Sequence, residues 1–208
     1  ILFLCCFLIP SIAAARTYDT SNLPYSDAPT DRATAIAISV LTQEGVLEGN
    51  PDGTFRPNSF LNRAEFLKIA MSLSTDYATL DLPPIPLTCF PDVLATEWYA
   101  RYVCDAKYMN IVEGNREEGV SADLWKFQPA RNVQYVEALK ILSVIYNLNP
   151  TPTSGTWYQR YLNTADALGI NLPENPVPDM YLTRGDMSRL AVRFLAQSDG
   201  ELSTLLAA

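Results

Sequence analysis

Histidine is absent from the 208 residues. That removes the commonest general base and the commonest metal ligand, and with them Ser-His-Asp and Cys-His nucleophiles and His-based zinc sites. What remains for chemistry is 23 carboxylates set against 15 lysines and arginines, a formal net charge of −8. Paired carboxylates could hydrolyse a glycoside. With so many acids, however, pairs arise by count alone, and the acids in recognisable surroundings have capping roles, so no enzyme is expected. Glu48-x-Asn50-x-Asp52-Gly53 has the opening of an EF-hand calcium loop. The twelfth position, which needs a bidentate Glu, is Ser59, and Pro51 interrupts the loop, so neither a metal nor a cofactor is expected. A chain this acidic lacks the basic surface that nucleic acid requires and has no general attraction for anionic lipid.

Hydrophobic residues make up 48% of the chain and charged residues 18%, enough apolar material to build a core rather than remain disordered. Residues 1–12 are an almost unbroken apolar run, followed by Ala13, Ala14, Ala15 and Arg16. This reads as a secretory signal peptide over 1–15, lacking its basic start and initiator Met, with 16–24 as a short leader. The run is too short to span a membrane, and no later segment is long and apolar enough. Two cysteines follow the signal, Cys89 and Cys104. In an exported chain they invite a disulfide, worth about 3 kcal/mol by loop entropy; two buried thiols is the other reading.

The chain repeats itself. Eight residues after Pro57 stands Glu65, eight after Pro129 stands Glu137, and eight after Pro178 stands Asp186. Each acid opens one apolar stripe at i, i+3, i+4, i+7: Phe66, Ile69, Ala70, Leu73; then Ala138, Ile141, Leu142, Ile145; then Met187, Leu190, Ala191, Phe194. That is one face of an amphipathic helix. Asn62 with Glu65, and Thr183 with Asp186, have capping-box spacing, whereas Gln134 is a poor cap for the middle copy. Upstream, Tyr25-Ser26-Asp27 aligns with Phe90-Pro91-Asp92, and Trp98-Tyr99 with Trp157-Tyr158. Gly45 and Gly169 stand where a helix should end. The copies run over 25–75, 89–148 and 156–197, joined by proline-rich linkers at 76–88 and 149–155, with a tail or stump at 198–208.

Gly45-Val46-Leu47-Glu48-Gly49-Asn50-Pro51-Asp52-Gly53-Thr54-Phe55-Arg56-Pro57, followed by Leu61-Asn62-Arg63-Ala64-Glu65-Phe66, resembles the S-layer homology repeat. The third copy keeps Leu182-Thr183-Arg184-Gly185-Asp186 and lacks the Asp-Gly-Thr-Phe loop. The second has Tyr135 in place of the signature arginine and a longer loop from Asn115 to Trp125. The resemblance implies a mainly α fold: three helix–loop–helix repeats forming a pseudo-threefold, three-pronged spindle around a central helical bundle. It also implies a task, non-covalent anchoring of an exported protein at the bacterial cell surface. The implied partners are cell-wall polysaccharide, taken in grooves between repeats, and other surface-layer subunits. The residues carried over as glycan ligands are Arg63, Arg184, Asp52, Gly53, Gly49, Trp98 and Trp157. Arginine offers a planar fork to an acidic sugar and glycine permits close approach of the backbone. Trp98 and Trp157 suit a core position as well as a sugar platform, and the first-turn arginines could simply lie on the surface. The degenerate copies leave room for an alternative, a module that keeps the fold as a structural or protein-interaction unit and has lost its glycan.

Overall fold

A computed structural model describes residues 18–21, 23–74, 77, 86–173 and 176–208. The expected signal peptide and most of the 76–88 linker lie outside the described residues. Among the described residues the fold is mainly helical, with seven α-helices and no strand: α1 (Arg32–Gln43), α2 (Arg63–Ser72), α3 (Ala100–Tyr108), α4 (Tyr135–Ile145), α5 (Gln159–Leu168), α6 (Arg184–Ser198) and α7 (Leu202–Ala207). The apolar stripes of α2 and α6 are buried along their whole length, and that of α4 is buried except at partly exposed Ile145. Helix α2 packs on α3, α4 on α5 and α1 on α6, while α2 and α4 also meet each other.

Helices α1, α3 and α5 stop in the same way. Gly45, Asn110 and Gly169 take positive φ of 71°, 58° and 69°, the left-handed cap that Gly adopts freely and Asn tolerates. The next amide then turns back, from Val46 to the Leu41 carbonyl, Ile111 to Ala106 and Ile170 to Ala165.

The starts of α2, α4 and α6 are tied to one another. A helix leaves its first backbone N–H groups without an internal partner. Here the first two amides of each helix donate to the loop that precedes another. Arg63 and Ala64 donate to the carbonyls of Arg131 and Pro129, Tyr135 and Val136 to Met180 and Pro178, and Arg184 and Gly185 to Ser59 and Pro57. Just before each helix the Leu61 amide donates to Leu182 (3.0 Å), Leu182 to Val133 (3.1 Å) and Val133 to Leu61 (3.0 Å), closing a ring of three. All three side chains are completely buried. The third amide is met locally. The Asn62 side chain accepts from Glu65 N–H, and the Thr183 hydroxyl from Asp186 N–H. Glu65, Glu137 and Asp186 return the favour to the amides of Asn62, Gln134 and Thr183, each at 3.0 Å. Gln134, read as a poor cap, therefore sits in the same reciprocal position through Glu137.

One side chain per joint reinforces the ring. Arg63, only 7% exposed, donates from Nε to the Phe127 carbonyl (2.9 Å) and from Nη1 to Glu137 (2.9 Å), and lies over the Phe127 ring. Arg184 donates from Nε to the Phe55 carbonyl (2.8 Å) and lies over that ring. Tyr135, in the arginine position of the middle copy, reaches across to Asn171 Oδ1 at 2.7 Å.

The loops before the ring carry a second shared device. Asp27 accepts from the amides of Phe55 and Arg56, and Asp92 from those of Phe127 and Gln128. Arg56 and Gln128 sit at φ 60° and 59°, a conformation uncommon for such residues that the paired carboxylate bonds hold in place. A disulfide joins Cys89 to Cys104, with Cα atoms 5.4 Å apart. The inserted 115–125 loop is closed by Asn115 against Lys126 and by the Trp125 indole N–H on the Val120 carbonyl. The tail expected at 198–208 holds α7, which folds back on α6.

Replacing Arg63 with Met keeps most of the apolar stem but leaves the Phe127 carbonyl and Glu137 short of a donor in a buried joint. The expected loss is about 3 kcal/mol in urea unfolding, in line with breaking one side of a buried charge pair.

Candidate functional site

A groove with a volume of about 500 Å³ runs between α2 and α3. Three chemistries meet in it. The loop after α1 supplies Gly45 to Asn50. Helix α2 supplies Glu65, Lys68 and Ser72, with Ile69 from the edge of its buried stripe. Trp98 and Tyr102 come from the start of α3, and Arg184 arrives from α6 through the ring. Of the residues expected to bind glycan, the fold thus brings together Gly49, Trp98 and Arg184.

Trp98 is 55% exposed and packs edge-on against Tyr99 at 5.3 Å. It is not a core residue. Its ring stands in the groove mouth, where a sugar face could lie against it. Arg184 is fixed by carbonyl oxygens rather than by a carboxylate: Nε on Phe55 and Nη2 on Glu48 at 3.2 Å. Burial lowers its pKa from the usual arginine value, and the nearby Glu65 partly opposes that. Lys68 forms no ion pair among the described residues. The groove therefore offers two cationic groups beside an aromatic plane, a suitable arrangement for a carboxylated saccharide.

Gly49 has a packing reason as well. A Cβ there would come within 2.4 Å of the Tyr25 ring, so glycine lets the loop backbone sit down on an aromatic that lies tilted against Phe55, ring centroids 5.3 Å apart.

The other expected ligands lie elsewhere. Arg63 is held inside the joint between α2 and the Phe127 loop, so it is buried rather than a surface arginine. Asp52 and Gly53 form the exposed tip of their own turn. Asp52 accepts from the Thr54 amide and hydroxyl and pairs with Arg56 at 2.6 Å. The Thr54 hydroxyl is the main reason its carboxyl is held down to about 2. Gly53, at φ 79°, turns its carbonyl to the Ser26 amide. Trp157 is 52% exposed on the equivalent start of α5, stacked edge-on against Tyr158 and Tyr161. On α4, at the position equivalent to Lys68, Lys140 is met by Glu113 at 3.6 Å, and Arg131 joins Arg63 on Glu137.

Lys68 and Tyr102 escaped the sequence reading. A signal for Lys68 was present: the residue three after each capping acid is Lys68, Lys140 and Arg189, a cation on the same helical face in all three copies. Among the described residues, no group of three or more Cys, Asp or Glu could hold a metal ion, and no helix is long and apolar enough to cross a membrane.

Capped helices bound to neighbouring loops, with a cationic aromatic groove at one such junction, define a mainly helical domain in which similar segments brace one another. Residues 24–67 match the S-layer homology domain, and the chain carries such a domain there. The chain is 24% identical over 181 residues to the Middle cell wall protein of Brevibacillus brevis, an alignment covering 87% of this chain and 16% of that protein. It is 29% identical over 178 residues to the Surface-layer 125 kDa protein of Lysinibacillus sphaericus, covering 78% of this chain and 14% of that one. A 65-residue stretch is 40% identical to Cell surface glycoprotein 1 of Acetivibrio thermocellus, 31% of this chain and 3% of the relative. The chain thus spans only a small part of the length of these relatives.

Two outcomes test the local geometry. Gly49→Ala should destabilise by about 1–3 kcal/mol through overpacking on Tyr25, read as a lower thermal midpoint. In an NMR titration Asp52 should show a midpoint of about 2, and Thr54→Val should move it up toward the ordinary carboxylate range. Because the shift is downward, any stability it contributes is present above that ordinary range and is lost as pH falls toward 2.

Proposed function

We propose that this chain is a non-catalytic anchoring module that holds an exported protein on the bacterial cell surface by binding an acidic wall glycan. Three helix–loop–helix units, running over 25–75, 89–148 and 156–197, form a three-pronged spindle, with the grooves lying between units. The observation that carries the ligand reading is the convergence of Trp98, Lys68, Arg184 and the Gly49 loop in the α2–α3 groove. A ring face lies on the indole, a sugar carboxylate meets the two cations, and the glycine loop admits backbone contact. The match to the S-layer homology domain and the surface-layer and cell-wall names of the relatives support the cellular setting. The acids with defined roles are engaged in caps and loop bonds, which favours binding over hydrolysis.

A second reading has an observation of its own. Arg63 is consumed in the joint, and the groove beside α4 is bridged by Lys140 and Glu113. This favours a module in which part or all of the glycan binding has given way to a structural or protein-interaction role.

Co-sedimentation with isolated cell wall separates the two. The Lys68→Ala, Trp98→Ala double variant should bind about tenfold or more weakly, a loss of at least about 1.4 kcal/mol, while Asp52→Ala binds like the parent. Walls stripped of acidic polymer should no longer retain the protein. Full retention of the double variant on intact wall would favour the interaction module instead.

A further inference from the structure

The grooves beside the three capped helices are not alike, and the third contains part of the chain itself. Helix α6 packs on α1 as α2 packs on α3, so the α1–α6 groove is the counterpart of the one described above. Its cations are Arg189, at the position of Lys68, together with Arg193 and Arg32. Where the first groove has the indole of Trp98, the 65-residue offset places Ala33. The volume left by that exchange is taken up by α7. Leu205, Leu206 and Ala208 lie over Arg32, Ala33, Arg189 and Arg193, enclosing a residual cavity of about 220 Å³. The Arg32 Nε–H is turned onto the Ala208 carbonyl. Arg189 pairs with Asp186, and Arg193 donates to the Asn171 carbonyl.

The cover is lightly built. Helix α7 has six residues, too few to persist as a helix without packing. Leu202, Leu205 and Ala208 pack on the body, Leu206 borders the cavity while 52% exposed, and none of the four is fully buried. Such a segment belongs to the low-stability end of the molecule, where local opening is easiest.

We infer that α7 is a latch: it occupies the α1–α6 groove and closes an arginine-lined site for a carboxylated saccharide, which opens when α7 is displaced. This rests on the saccharide reading of the α2–α3 groove and adds its regulation. Displacement releases Arg32 from Ala208 and uncovers the faces of Arg189 and Arg193. A ligand that binds only the open form shifts the balance by mass action.

Calorimetric titration with oligogalacturonate, a model polyuronate, tests this on the full chain. The parent should bind one equivalent, and a Leu202→Ser, Leu205→Ser variant two. Adding Lys68→Ala and Trp98→Ala to that variant should leave one. A latch variant that still binds a single equivalent overturns the latch and spares the first groove, whereas no binding by parent or variant overturns the saccharide reading and the latch with it. Hydrogen exchange on the unaltered chain is an independent measure. The Leu205 amide, which donates to Glu201, should exchange faster in excess oligogalacturonate, and an unchanged rate there also overturns the proposal.

Discussion

Leu61, Val133 and Leu182 each hold a buried backbone amide that must find an acceptor, since an unmade bond there costs about 1–3 kcal/mol. Each finds it in another segment far along the sequence, and the third returns to the first. The first two amides of α2, α4 and α6 link the same three segments in the opposite sense. No segment can satisfy its own helix start alone, and removing any one opens two contacts. A stack in which each unit touches only its neighbours could fray from its ends. A closed circuit removes that route and couples the three segments in one cooperative unit.

The candidate groove is a product of this closure. Arg184 begins α6, yet its guanidinium lies on the Phe55 and Glu48 carbonyls more than a hundred residues earlier. The groove is thus lined by the loop after α1, one of its two cations comes from α6 and the other from α2, and its aromatic residues come from the start of α3. The same circuit produces unlike grooves because the side chains at equivalent positions differ. Lys68 stands without an ion-pair partner among the described residues, Lys140 faces Glu113, and the face bearing Arg189 lies beneath α7.

Much of the fold was legible because periodicity and cap chemistry are local. The three stripes, the Asn62–Glu65 and Thr183–Asp186 spacings and the glycine stops each follow from residues within one or two turns. The proline-to-acid interval was visible too, but its meaning was not. Pro57, Pro129 and Pro178 lend their carbonyls to helices elsewhere in the chain, and nothing local announces which. The site was less legible for the same reason. Arg63 and Arg184 share a motif, yet one is sealed against Glu137 while the other reaches a groove. Trp98 and Trp157 are large enough to look like core, but they stand half-exposed just ahead of helix starts. Gln134 looked like a defect, while Glu137 supplied the reciprocal bond from three residues on.

The three side chains that lock the circuit are chemically different, so the joints answer to different surroundings. The Arg63 joint leans on a carboxylate, Glu137, in a charged pair. The Arg184 joint leans on carbonyl oxygens, which do not titrate, so it is indifferent to acid. The Tyr135 joint is uncharged, and burial pushes its phenol up to about 12, so its contribution is lost only above the ordinary tyrosine range as pH climbs toward that value. A protein outside the cell meets shifts in acidity and ionic strength that the cytoplasm would buffer. With unlike fasteners, no single such shift loosens every seam at once, and the departure of the middle copy from the arginine pattern becomes a form of insurance.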